Sequence, residues 1–111
     1  GNVARVPSYR FALAQRIICL VPDTTKVHPS FLFWGLQSFD VQSRIRQKAH
    51  GTTVLGIKQS QLRKVLFPLP NLDVQEEVAS LCDAIASTRI ACEQHVKSLR
   101  NLAAAFIDHL F

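Results

Sequence analysis

Six side chains between residues 44 and 58 are of the types that hold a polyanion: Arg44, Arg46, Lys48, Thr52, Thr53 and Lys58, with His50 among them and Gly51 near their centre. Phosphate oxygens and base edges take hydrogen bonds from guanidinium, ammonium and hydroxyl groups, and a glycine lets backbone come close to a duplex. The same residues also read as a solvated helix face followed by a turn, and residue types alone leave both readings open. Arg63 and Lys64 read as plain surface cations. Trp34 could stack a base, but among Phe31, Leu32 and Leu36 it reads as core. His28 reads as a loop residue before Pro29.

Covalent or acid–base catalysis has little to work with. A nucleophile needs a base within hydrogen-bond reach and a third group to orient it. The first 70 residues hold only two acids, Asp23 and Asp40, and no glycine-rich phosphate loop, HExxH or GxSxG occurs. We expect no catalytic residues, and a Cys- or His-based hydrolase is the remotest reading. Cys92 and His95 stand three apart, with Cys82 one stretch earlier, but a structural zinc wants four ligands. Small or polar positions that set helix register are the simpler explanation, so no metal site is expected. Cys19, Cys82 and Cys92 are odd in number and widely spaced, which fits reduced thiols in a cytoplasmic protein. No apolar run is long enough to span a bilayer.

The elements that must position these groups divide at Phe67-Pro68-Leu69-Pro70. Before it, Gln15–Val21 is a short β-branched run ended by Pro22-Asp23 and reads as a buried strand. Pro29 suits the first position of a helix, which Phe31, Leu32, Trp34, Leu36 and Phe39 continue. A second helical stretch runs from Val41 to Lys48, continuous with the first or broken near Ser38. Ala49–Thr53 is a loop and Val54–Ile57 a short extended piece. Ser60 caps one helical turn, and Val65–Phe67 is extended again. The expected fold class is α+β (mixed α/β), a small head followed by one long coiled-coil-forming helix. Residues 1–70 form the first domain and residues 71–111 the second.

The two sides differ in charge. Residues 1–70 carry a net +8 and residues 71–111 a net −3, a basic head on an acidic helix. Beyond Pro70 no Gly or Pro interrupts the chain. Asp73 with Glu76 reads as a capping-box-like start. Val74, Val78, Leu81, Ile85, Thr88, Cys92, His95, Leu99, Leu102, Phe106 and His109 then alternate spacings of four and three. This is a heptad seam about 57 Å long at 1.5 Å per residue. It is more than a small head can cover, so Val78, Leu81, Ile85, Leu99, Leu102 and Phe106 are expected to pair with a second helix. The chain has no Met, which fits either removal of an initiator Met before Gly1 or a piece of a longer protein, and the abrupt start at Gly1-Asn2-Val3 favours the piece.

The order Pro29-Ser30-Phe31-Leu32, Leu36-Gln37-Ser38, Gly51-Thr52-Thr53, Ile57 and Leu62, then Pro68-Leu69-Pro70 with Gln75 beyond, resembles the specificity subunit of type I restriction-modification systems. The ending Phe106–Phe111 is similar to the close of that family's conserved helix, and the likeness covers residues 15–111. Val74 stands where the family usually has an acid before the Gln, and Glu76 and Glu77 follow instead, which puts any contact by that acid in question. The resemblance implies part of a target-recognition domain followed by a spacer helix. It implies double-stranded DNA as a partner, with a methyltransferase subunit that brings S-adenosylmethionine and a restriction subunit that joins them. This chain would then hold no cofactor and catalyse nothing. Arg44, Arg46, Lys48, Thr52, Thr53 and Lys58 become the expected DNA contacts, and an isolated chain is expected to dimerise antiparallel through its helix. A protein-interaction scaffold without DNA binding is the alternative.

Overall fold

The computed structural model describes residues 2–6, 12, 14, 16–49 and 56–111. Its element order is α1 (Pro29–Gln37), α2 (Phe39–Lys48), α3 (Gln59–Leu62) and α4 (Leu72–Leu110). The chain divides into two compact units, Gly1–Ala79 and Ser80–Phe111. The second unit is the greater part of α4.

The expected α+β class is corrected: among the described residues there is no strand and no sheet. Residues 17–21 carry the right β-branched side chains but are irregular, and Ile17, Leu20 and Val21 are exposed, Val21 at 88%. A strand is stable only as part of a hydrogen-bonded ladder, and none of the described residues supplies a neighbouring strand. Gln15, Val54 and Leu55 lie outside the described residues. Gly56 contributes one isolated bridge, and Val65–Phe67 is irregular.

Pro29 does open α1, where its missing N–H costs no hydrogen bond and where it holds His28 extended at φ −69°, ψ 127°. Ser38 breaks the two helices apart and serves both. Its N–H and Oγ both donate to the Gly35 carbonyl, at 3.1 and 2.7 Å, closing α1. Its Oγ also accepts from the Val41 N–H, opening α2. The Gln42 amide donates back to the Leu36 carbonyl at 2.6 Å and bolts the corner. The single turn α3 lacks the expected Ser60 cap: Lys58 is its N-cap residue, with no side-chain cap bond.

The apolar core is small. Phe31, Val41, Ile45 and Ala79 are buried, and Val41 and Ile45 lie one turn apart on α2. Phe67 extends this core edge-on to Phe31, ring centroids 5.9 Å apart. Its ring also lies over Gly35, where an added Cβ would come within 2.5 Å of Phe67 Cζ. Glycine in mid-helix normally weakens it; here it makes room for the ring that precedes Pro68. Trp34, expected in the core, is only half-buried. It stacks edge-on with Phe33 at 4.8 Å, and the Arg5 guanidinium lies 4.3 Å from the Phe33 ring centre.

At the start of α4 the capping residue is Asn71, not Asp73. Asn71 Oδ1 accepts from the Val74 N–H at 3.0 Å, and the helix begins at Leu72. Asp73 falls inside the first turn, where a carboxylate suits the positive end of the dipole. The 39-residue α4 then runs unbroken for about 58 Å.

Candidate nucleic-acid interface

Each expected contact residue has a distinct setting. Arg46 is exposed in the last turn of α2, and Lys48 is half-buried one turn from Arg44. Lys58 is exposed at the N-cap of α3, and Arg63 and Lys64 are exposed just beyond it. None of these five cations has an ion-pair partner among the described residues. Thr52 and Thr53, with His50 and Gly51, lie outside the described residues. Arg46 and Lys48 stand at the negative end of the α2 dipole, and Asp40 in its first turn, so α2 is charged as its dipole favours.

Arg44 differs from its neighbours. One Nη meets the Asp40 carboxylate at 2.7 Å, and the other donates to the Leu66 carbonyl at 2.9 Å, 22 residues away. Successive helix residues are turned by about 100°, so Arg44 and Arg46 flank the buried Val41/Ile45 face on opposite sides, with Lys48 on the Arg44 side. The α2 cations therefore do not form one continuous row.

The residue that sequence reasoning undervalued is Gln75, noted only as part of a pattern after the prolines. Its side chain has no exposed surface. Nε2 donates to the Pro70 carbonyl at 2.7 Å and the Lys26 carbonyl at 3.0 Å, and Oε1 accepts from the His28 N–H at 2.9 Å. An amide is suited to this job because it has both donors and an acceptor without charge. The signal was a polar residue in the first turn of a helix, on the same face as Ala79.

Gln75 holds a loop that has its own internal order. The Asp23 carboxylate accepts from the Thr25 N–H and hydroxyl at 3.1 and 2.7 Å, and the Asp23 carbonyl accepts from the Lys26 and Val27 N–H groups. The hydrogen bonds from Thr25, side chain first and then backbone, hold the Asp23 carboxyl below its usual range.

The α4 seam is open. Val78, Leu81, Ile85, Leu99, Leu102 and Phe106 are all exposed, up to 68% at Phe106. Among the described residues no three His, Cys, Asp or Glu side chains converge, so Cys92 and His95 gain no further metal ligand there. Among the described residues no helix is long and apolar enough to cross a membrane.

The chain thus joins a basic, helical N-terminal part to a long helix whose apolar seam is exposed. Residues 1–99 match the family model of the type I restriction modification DNA specificity domain. The chain belongs to that family, as the order of its motifs implied, and its role is in the specificity of a type I restriction-modification system. The specificity domain is non-catalytic. Neither the curated proteins nor the solved structures yielded a match.

Proposed function

We propose that this chain is a DNA-reading and assembly module of a type I specificity subunit: the basic head engages duplex DNA and the long helix pairs with a second helix and docks the methyltransferase subunit. The observation that carries it is the set of exposed cations on the head, Arg46, Lys58, Arg63 and Lys64, without ion-pair partners among the described residues, on a unit whose residues 1–70 hold a net +8. Lys48, Thr52 and Thr53 complete the proposed DNA contacts. S-adenosylmethionine stays with the methyltransferase, the restriction subunit joins the assembly, and the complex works in the cytoplasm.

In isolation the helix is proposed to pair antiparallel with a second copy through Val78, Leu81, Ile85, Leu99, Leu102 and Phe106. Charge supports that orientation. Residues 72–88 carry Asp73, Glu76, Glu77 and Asp83 with no cation, and all three cations of the helix, Arg89, Lys97 and Arg100, follow. An antiparallel partner lays the acidic half of one helix beside the basic half of the other.

The test is a salt titration with duplex DNA followed by fluorescence anisotropy. Binding is expected to weaken steeply with salt, with a log–log slope of about −0.9 for each phosphate neutralised. Absence of binding even at low salt would leave the scaffold reading, which the open seam favours. Co-purification with the methyltransferase subunit tests the docking half.

A further inference from the structure

We infer that Arg44 is a positioning residue, which sets α2 for DNA rather than touching it, and that phosphate contact on α2 falls to Arg46. This rests on the DNA-binding reading above and narrows it. A phosphate-binding arginine keeps its fork free for the anion. The Arg44 fork is already divided, one arm on Asp40 within α2 and the other on the Leu66 carbonyl in the segment that leads to Pro68. Arg46, only two residues on, lies on the far flank of the buried face and is exposed with no partner among the described residues.

The carbonyl that Arg44 grips matters. Leu66 adjoins Phe67, whose ring is seated on Gly35 and Phe31 of α1. Arg44 thus ties α2 to the same short segment that Phe67 ties to α1, and the two anchors together fix the angle between the helices. That angle decides where Arg46 points. Loss of Arg44 lets α2 turn, and Arg46 presents its charge in the wrong place.

Four variants of the full chain separate the roles, measured by anisotropy on duplex DNA across a salt series and by thermal unfolding, at a temperature where circular dichroism shows each folded. Arg46→Ala is expected to weaken binding several-fold, to reduce the salt slope by about 0.9, and to leave Tm unchanged. Arg44→Ala is expected to lower Tm by about 4 °C or more and to weaken binding with the salt slope intact. Arg44→Lys, which replaces the two-armed fork by a single nitrogen, should show the same pattern more mildly. Asp40→Asn decides by sign. A DNA-contacting Arg44 freed from its carboxylate would bind more tightly, whereas a positioning Arg44 that has lost its anchor binds less tightly.

Tighter binding by Asp40→Asn, or a reduced salt slope in Arg44→Ala, overturns the inference. Full affinity of folded Arg44→Ala also overturns it, because the tie would then serve stability alone. If the wild-type chain binds no DNA, the DNA-binding reading falls and this inference with it, whereas a bound wild type with unaltered Arg46→Ala behaviour sinks only the inference.

Discussion

The side-chain carbonyl of Gln75 accepts the backbone N–H of His28 at 2.9 Å across 47 residues of sequence. That bond, with those from the Gln75 amide to Lys26 and Pro70, makes one buried side chain the meeting point of the Asp23–His28 loop, the proline segment and α4. Replacement by leucine fills similar volume but leaves a part-buried N–H and two carbonyls on exposed residues without their partner, at about 1–3 kcal/mol for a group left unpaired and less where water reaches it. Gln75→Leu is therefore expected to destabilise the fold by about 2–5 kcal/mol, measured by urea unfolding. Gln75→Glu is expected to gain stability as pH falls, because only a protonated carboxyl can donate to either carbonyl.

Gly35 and Phe67 should show coupling with a change of sign. In the native chain a Cβ at position 35 collides with Phe67 Cζ, and Gly35→Ala is expected to destabilise by about 1–3 kcal/mol, as overpacked sites do. With the ring already removed in Phe67→Ala, the same substitution should stabilise by up to about 1 kcal/mol through helix propensity. Thermal unfolding of the four chains in a double-mutant cycle measures it, and additivity would show that the ring does not sit where the geometry puts it.

Asp23 should make stability depend on acid. Its carboxyl is held below its usual range by the Thr25 hydrogen bonds. A carboxylate depressed in the folded state contributes fully above its ordinary value and loses that contribution as pH falls through the depressed one. The Tm advantage of the native chain over Asp23→Asn is expected to be constant near neutral pH and to shrink in strong acid. An advantage that grows on acidification would reverse the assignment.

The open seam predicts self-association. Light scattering at tens of micromolar should give twice the chain mass, and Leu102→Lys should give the monomer, since one buried charge per seam is enough to oppose pairing. Orientation is read by disulfide trapping after the native cysteines are changed to serine. A Leu81→Cys copy should cross-link to a Leu99→Cys or Phe106→Cys copy and not to itself, as antiparallel helices require. Self-linking would mean a parallel pair, and a monodisperse monomer would remove the dimer altogether.

The long helix was legible from its residues because its signal is local and repeated. Thirty-nine residues without Gly or Pro, and a seam at spacings of four and three, demand one outcome at every turn. The cap slipped by two residues because Asn71 and Asp73 have the same chemistry, and the choice between them lies in backbone geometry. Pro29 and the helical stretch to Lys48 were readable for the same local reason. The strand at residues 15–21 failed because β-structure is not local. Its composition states a preference, but a ladder needs a second strand, and only the tertiary structure reveals whether one is there.

Charge separation, the absence of recognisable catalytic motifs and the order of motifs that leads to the specificity-domain family were all written in the sequence, since each depends on residue type and spacing alone. The tertiary structure decided what those residues do to one another. It divided two arginines of equal chemistry into one bound to Asp40 and Leu66 and one left exposed. It turned Gln75, noted in the sequence only as part of a motif after the prolines, into a fully buried polar group that joins three segments. Hydrogen bonds between residues 22 to 49 positions apart depend on how the chain returns upon itself, and no local pattern of side chains encodes that return.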